Sequence, residues 1–271
     1  MIASPPGLLP RLDLARAVAA RAGEILTRHR GRLAAVAKKG DIDLVTEADR
    51  ASEAAIVAAI AERFPSDRVI AEEGSAVAGD GHDGYTWLVD PLDGTTNFVH
   101  GLPWFAVSVG ALWRGVPVLG VIGAPALGRA WHGALGHGAH DETGARLRVC
   151  DAATLKDGLL ATGFPYDRDA TAAALVGPVS RALAAGRDVR RMGAAALDLA
   201  AVADGTFAGY WEPRLKPWDL AAGILLVREA GGRVTDFAGA DAMLSSGDVI
   251  AAPPQLHAAL TRVVRGDDAL G

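Results

Sequence analysis

The hydrophobic positions change period along the chain, and the changes outline its elements. Leu12, Ala15, Val18, Ala19, Ala22, Ile25 and Leu26 recur at helical spacing, which predicts a first helix that Gly31 can stop. A second helix is expected from Thr46 to just before Pro65, carrying Ala51, Ala55, Ile56, Ala59 and Ile60. The pattern then becomes extended. Val69 to Ala71, Tyr85 to Val89, Phe105 to Trp113, Val116 to Ile122 and Ala130 to Leu135 read as successive strands, with Arg114-Gly115 as a hairpin turn. Pro91 lacks an amide donor and is expected to end the strand that begins at Tyr85. The glycine- and histidine-rich tract from Gly136 to Gly144 reads as a surface loop. Alternation follows: strands Gly158 to Thr162, Asp188 to Arg191 and Phe207 to Trp211 interleave with helices Ala170 to Ala185, Ala194 to Ala203 and Pro217 to Ala230. Short strands near Val234 and Val249 and a last helix from Pro254 to about Arg265 complete the pattern. A run of strands followed by mixed segments implies stacked layers of sheet and helix. With no internal repeat or low-complexity linker, residues 1–271 read as a single domain with a soft division near 144–155.

Composition narrows the function classes. The chain has 271 residues, 50% of them hydrophobic, enough for a large core. A net charge of −5, with no basic block beyond the pairs Lys38-Lys39 and Arg190-Arg191, argues against a nucleic-acid surface. The single cysteine, Cys150, excludes an intrachain disulfide and any cysteine cluster; it is expected as a small buried apolar residue in a reducing compartment. The alanine-rich runs are broken by Asp, Arg or Glu, so no membrane span is expected. The first seven residues lack a basic region followed by an apolar core, which makes the cytoplasm the expected location. His132, His137 and His140 lie close in sequence but lack metal-ligand spacing, and read as exposed loop histidines.

Chemistry concentrates in a few short segments. In the run Trp87 to Phe98, Asp90 and Asp93 follow an apolar strand and precede Gly94, Thr95 and Thr96. The carboxyl end of a strand is where α/β proteins bind ligands. Asp oxygens are hard ligands for Mg²⁺, Mn²⁺ or Ca²⁺, and Leu92 can add its backbone carbonyl. Gly94 permits close backbone approach, and a helix starting at Thr95 would present free amides to a phosphate. Glu72, in Ile70-Ala71-Glu72-Glu73-Gly74-Ser75, repeats this geometry and offers a third ligand. Asp49, in the segment Asp41 to Asp49, falls in a first helical turn where it could orient a water. Asp219, beside Trp218, opens the helix that Pro217 begins. Each motif also has a purely structural explanation: Asp-Pro and Asp-Gly form turns, Thr46 and Asp49 match a capping box, Glu72-Glu73 suits a solvated strand end, and an acid in a first turn is stabilised by the helix dipole. Together they supply several clustered anions with few cations beside them. Divalent ions would remove the resulting repulsion.

The two longest of these segments, Asp90-Pro91-Leu92-Asp93-Gly94-Thr95 and Trp218-Asp219-Leu220-Ala221-Ala222-Gly223, resemble the signatures of the inositol monophosphatase family. The Glu72-Glu73 pair and Asp43-Leu44-Val45-Thr46-Glu47-Ala48-Asp49 precede them in family order, and the resemblance runs from about Leu12 to Ala252. It implies the layered α-β-α-β-α sandwich of the sugar phosphatases (inositol monophosphatase/fructose-1,6-bisphosphatase type), commonly a homodimer. It implies a Mg²⁺-dependent phosphomonoesterase acting on myo-inositol 1-phosphate or a similar small polyol phosphate. About two or three Mg²⁺ ions, with Mn²⁺ an alternative, would be held by Glu72, Asp90, the Leu92 carbonyl, Asp93 and Asp219. Asp49, Glu72 and Thr95 would be the catalytic residues, Asp49 and Thr95 positioning or activating a water that attacks directly. Asp93, Gly94, Thr95, Gly193, Ala194, Ala195, Glu212 and Asp219 would contact substrate. One departure stands out: many relatives carry Ser or Thr where this chain has Ala194, so a hydroxyl contact is lost. Histidinol-phosphate or fructose-1,6-bisphosphate hydrolysis on the same site is the alternative activity, with selectivity lodged in loops such as Gly163 to Arg168. A regulatory or scaffold protein that uses the fold as a binding surface, as some bacterial relatives are thought to do with transcription components, is the alternative of another class.

Overall fold

Two blocks of strands, each too apolar to face water on both sides, are covered by helices in five layers. The computed structural model describes residues 4–31, 36–38, 44–77, 79, 84–165 and 172–267. The N-terminal part runs α1 (Leu8–His29), β1 (Val36–Lys38), β2 (Leu44–Thr46), α2 (Glu47–Arg63), β3 (Arg68–Ala71), β4 (Ala76–Val77), β5 (Tyr85–Asp93), α3 (Thr95–Val99), β6 (Ala106–Trp113), β7 (Val116–Ala124), β8 (Arg129–Ala134) and β9 (Gly138–Asp141). The C-terminal part runs β10 (Leu159–Thr162), α4 (Ala172–Ala185), β11 (Asp188–Arg190), α5 (Ala195–Ala203), β12 (Gly209–Glu212), α6 (Pro217–Glu229), β13 (Arg233–Thr235), α7 (Met243–Ser246), β14 (Val249–Ala252) and α8 (Pro254–Arg265). A seven-stranded sheet has the order β4-β3-β5-β6-β7-β8-β9, and a five-stranded sheet the order β11-β10-β12-β14-β13. The chain passes from the first sheet to the second between β9 and β10.

Helices α1 and α2 pack on one face of the larger sheet; α5 and α6 fill the space between the sheets; α4 and α8 cover the outer face of the smaller one. The middle layer is nearly all apolar, as a helix buried on every side must be. Close approach is built in by two glycines: a Cβ at Gly110 would lie 2.8 Å from the Ala221 Cβ, and one at Gly120 would lie 2.5 Å from the Ala222 carbonyl oxygen. Small residues on both sides let α6 settle onto β6 and β7, which carries its first turn to the carboxyl end of β5.

Five expectations from the sequence need correction. The tract from Gly136 to Gly144 is not wholly a loop, because β9 pairs antiparallel with β8 inside it. Glycine, alanine and aspartate, three of the four residues of β9, are poor strand formers, and pairing with β8 decides the matter. His132 and His140 are therefore cross-strand neighbours, half-buried, with ring centroids 5.8 Å apart, rather than exposed loop residues. Strand β5 does not end at Pro91 but continues to Asp93, its pairing with β6 shifting between Asp90 and Asp93. Pro91 falls inside that irregularity, where the ladder asks no amide of it. Cys150 is half-buried, not fully buried. The first helix starts a turn earlier than its apolar pattern suggests. Met1 to Ala3, Lys39, Asp41 to Asp43 and Tyr166 to Ala170 lie outside the described residues.

The N-terminal helix is tied to the sheet by a buried ion pair. Arg11 Nε and Nη2 donate to Asp67 at 2.8 and 2.7 Å, and the Trp87 indole donates to the same carboxylate at 2.7 Å. The guanidinium also lies over the Phe64 and Tyr85 rings. Removing one partner of such a pair leaves an uncompensated buried charge. Arg11→Ala is expected to lower stability by about 3–5 kcal/mol, read as a lower urea midpoint, and the pair of substitutions Arg11→Met and Asp67→Leu should recover part of that loss.

Candidate active site

The carboxyl end of β5 is the centre of the site, and α2 holds it from below. Ser52 Oγ donates to the Pro91 carbonyl at 3.0 Å, fixing the irregular end of β5. Glu53 accepts from the backbone amides of Glu73 at 2.7 Å and Ser75 at 2.9 Å, fixing the turn that carries Glu72. Asp49 stands on the same side of the helix. Thr46 caps α2, and its amide donates back to Asp49 Oδ2 at 2.8 Å, so the capping box expected from sequence is present. The other oxygen, Oδ1, lies 3.3 Å from Thr95 Oγ1, whose hydroxyl also reaches the Leu92 carbonyl at 3.0 Å. Structural and chemical readings of Asp49 thus use different oxygens of one carboxylate.

Asp93 reaches across layers. Its Oδ2 accepts from the Ala196 amide at 2.7 Å, and the Ala195 and Leu197 amides also act on it. The N-cap of α5 is Ala194, which has no side chain able to cap. A carboxylate from the other sheet performs that function. Gly94 follows with φ 84°, packed so tightly that a Cβ would lie 3.0 Å from the Trp104 carbonyl and 3.1 Å from the Ala194 Cβ. Asn97 on α3 donates to the carbonyls of Trp104 at 2.7 Å and Met192 at 2.9 Å, drawing the Gly193–Ala195 segment against the start of α3. Asp219, in the first turn of α6, accepts from the Lys216 amide at 2.8 Å.

These elements enclose a pocket of about 900 Å³ whose wall includes Glu72, Asp90, Leu92, Asp93, Gly94, Thr95, Gly193, Ala195, Glu212 and Asp219. Asp49 and Ala194 are buried behind that wall. A groove of comparable volume between α1 and β7–β8 contains none of these residues. Opposite the acids stands Glu212, buried, accepting from the Tyr210 hydroxyl and packed directly on Gly163, where no side chain would fit. Arg191, Arg214 and Lys216 add positive charge to the pocket.

The electrostatics are those of crowded acids. Asp90 is pushed well above the ordinary carboxylate range, first by burial and then by Glu72, Asp93 and Asp219. Asp219 is raised well above it by burial and then Asp93. Burial raises Asp93 to about 7 against the opposing amide of Ala196, and Glu212 to about 7 against the Tyr210 hydroxyl. Asp49 is raised by burial, with Thr46 opposing. Among the described residues no three acidic, histidine or cysteine side chains converge tightly enough to form a ready-made metal cage. The donor set nonetheless has the hard oxygen chemistry of Mg²⁺ sites, and its mutual repulsion is what a divalent cation relieves. Sequence reasoning had not singled out Ser52, Glu53 and Tyr210. The first two were legible: with Asp49 they recur at i, i+3 and i+4, on the face that continues through Ile56 and Ile60.

The sequence profile of the inositol monophosphatase family matches residues 8–267. The chain belongs to the inositol monophosphatase family. A Pseudomonas aeruginosa protein named Nus factor SuhB is 40% identical over 269 residues, covering 94% of this chain and 96% of the relative. The crystal structure of extragenic suppressor protein SuhB from Bartonella henselae superposes with a TM-score of 0.90 at 36% identity, covering 94% of this chain and 98% of that one. The Thermotoga maritima IMPase gives 0.86 at 37% identity, covering 95% and 97%. The family member accordingly has the α/β sugar-phosphatase fold, two mixed sheets layered with helices. No helix among the described residues is long and apolar enough to cross a membrane.

The raised carboxyls predict how the metal-free protein responds to pH. Asp93 and Glu212 hold protons in the fold up to about 7, whereas the unfolded chain releases them near their ordinary values. Their contribution is therefore complete at low pH and is lost as pH rises through about 7. In EDTA, the melting temperature should fall as pH rises from about 4 to about 7; a flat or rising profile over that range would contradict the crowding described.

Proposed function

We propose that the chain is a Mg²⁺-dependent phosphomonoesterase that hydrolyses myo-inositol 1-phosphate or a similar small polyol phosphate to the alcohol and inorganic phosphate. The observation that carries this reading is the gathering of Glu72, Asp90, Asp93 and Asp219 along one pocket wall, with the Gly94 and Gly193 backbones beside them. Glu72, Asp90, the Leu92 carbonyl, Asp93 and Asp219 are the residues that would hold the metal. Bound there, Mg²⁺ would neutralise the clustered acids, draw charge from the phosphoryl oxygens and acidify an attacking water. The amides of Gly94 and Thr95 would orient the phosphate. Thr95 Oγ1 would position the water and pass its proton to Asp49 Oδ1, which the capping contacts on Oδ2 leave available, as the water oxygen bonds to phosphorus in line, the ester P–O bond breaks and the leaving alkoxide takes a proton from solvent. Glu212, oriented by Tyr210, would accept hydrogen bonds from ring hydroxyls, and Ala194 leaves the substrate only backbone contacts in its segment. The chain would act as one catalytic unit, in the cytoplasm and as a homodimer; the exposed Val176 and Leu183, seven residues apart on α4, offer an apolar stripe that such pairing could cover.

Adding Mg²⁺ should raise the melting temperature, and more so above about pH 7, because the carboxyls must release protons to bind it. Asp93→Asn keeps an oxygen for the Ala196 amide but loses the charge. It is expected to fold normally while hydrolysis falls more than about 100-fold. Unchanged turnover in that variant would refute the metal assignment. Turnover across inositol 1-phosphate, histidinol phosphate and fructose 1,6-bisphosphate tests the substrate, and a clear preference for histidinol phosphate would sink the inositol reading. The name borne by the Pseudomonas relative favours a second reading, a binding role in transcription that operates beside or without hydrolysis. Capture of the same partner by the parent chain and by Asp93→Asn would support it.

A further inference from the structure

The pairing of β8 with β9 sets two imidazoles side by side, away from the candidate active site. His132 and His140 are directly opposite each other in the register, both half-buried, with ring centroids 5.8 Å apart. Two imidazoles on one tetrahedral metal ion, each nitrogen about 2 Å from it, have centroids roughly 5 Å apart. A small turn of either ring closes that difference. Such a turn is open to both, because among the described residues neither ring is held by a hydrogen bond.

A third donor stands near them. Glu142, one residue past the end of β9, lies on the wall of the groove beside α1 together with His132. Its carboxylate accepts from the Ala130 amide at 3.1 Å, an exposed contact whose exchange for a metal costs little. Among the described residues no three such donors converge as the side chains now lie, so the two rings are preset and the carboxylate is recruited on binding. Burial, Arg16 and His140 hold His132 below the ordinary histidine range, with Asp141 opposing, which leaves the ring neutral and a nitrogen lone pair open near neutral pH. The groove wall otherwise balances its charges: Asp13, Glu24 and Glu142 stand against Arg16, Arg28 and Arg129. We propose that His132, His140 and Glu142 form a second metal site, suited to a transition-metal ion such as Zn²⁺ or Ni²⁺, that clips the edge strand β9 to β8. Imidazole nitrogens favour those ions, whereas Mg²⁺ prefers the oxygen donors of the pocket. The site does not depend on the phosphatase reading.

Titration calorimetry with Ni²⁺ in excess Mg²⁺ tests it on the full chain. The parent should bind one Ni²⁺ at this site and melt at a higher temperature with it. His132→Gln and His140→Gln should each weaken binding more than about tenfold and lose the rise in melting temperature, while Glu142→Gln weakens it about threefold or more. Arg16→Gln, which removes a repelling cation, should tighten binding about threefold. Affinity in the parent should fall below about pH 6, as the imidazoles take up protons. Asp93→Asn should bind Ni²⁺ here as the parent does. No binding in excess Mg²⁺, unchanged binding in the histidine variants, or binding lost in Asp93→Asn and kept in the histidine variants each overturns the site. If one histidine variant does not fold, the other decides. Unchanged affinity in Glu142→Gln overturns its place among the ligands.

Discussion

The hydrogen bonds that Asp93 accepts from the first turn of α5 are the constraint on which the site depends. A carboxylate at the irregular end of β5, in the larger sheet, caps a helix in the layer between the sheets. Ala194 cannot perform that task, and an uncapped helix start buried among apolar neighbours would strand amide donors without partners. The cap therefore locks the two halves of the molecule in register. It also fixes the Asp93 carboxylate at the wall of the pocket, so a group needed for folding is held where chemistry would use it.

The rest of the pocket is arranged around that fixed point by similar double use. Thr46 and Asp49 cap α2 through one carboxyl oxygen while the other meets Thr95. Ser52 and Glu53 extend the same helix face to hold the turns bearing Asp90 and Glu72. Glycines at 110 and 120 let α6 descend close enough for Asp219 to arrive at the same wall. The outcome is a set of buried acids that oppose one another, which lowers the stability of the empty fold at neutral pH and makes it receptive to a cation. Stability is given up locally because the surrounding apolar layers supply enough to hold the acids in place.

Much of this was legible before folding. The helical periods of α1 and α2, the strands β5 to β8 and the alternation after residue 158 follow from spacing alone, since each buries one continuous apolar face or run. The two long signatures, around Asp90 and Asp219, pointed to metal and phosphate because clustered carboxylates with few cations beside them repel one another, and because both segments resemble those of the inositol monophosphatase family. The Gly/His-rich tract misled, because β9 owes its existence to pairing with β8 and not to its own residues. Pro91 misled for a related reason: a bulge absorbs the missing donor, and a bulge is a property of two strands.

What the sequence by itself determined was the inventory: which segments bury a helix face or a strand, and which carboxylates, glycines and hydroxyls stand at their ends. Local spacing suffices there, because periodicity and capping are interactions among near neighbours. The tertiary structure alone decided that Asp93 caps α5 from 103 residues away in the chain, that Glu53 holds the turn beside Glu72, and that Trp104 faces Asp198. Those contacts join residues far apart in the chain, and only the packing of the layers brings them within reach.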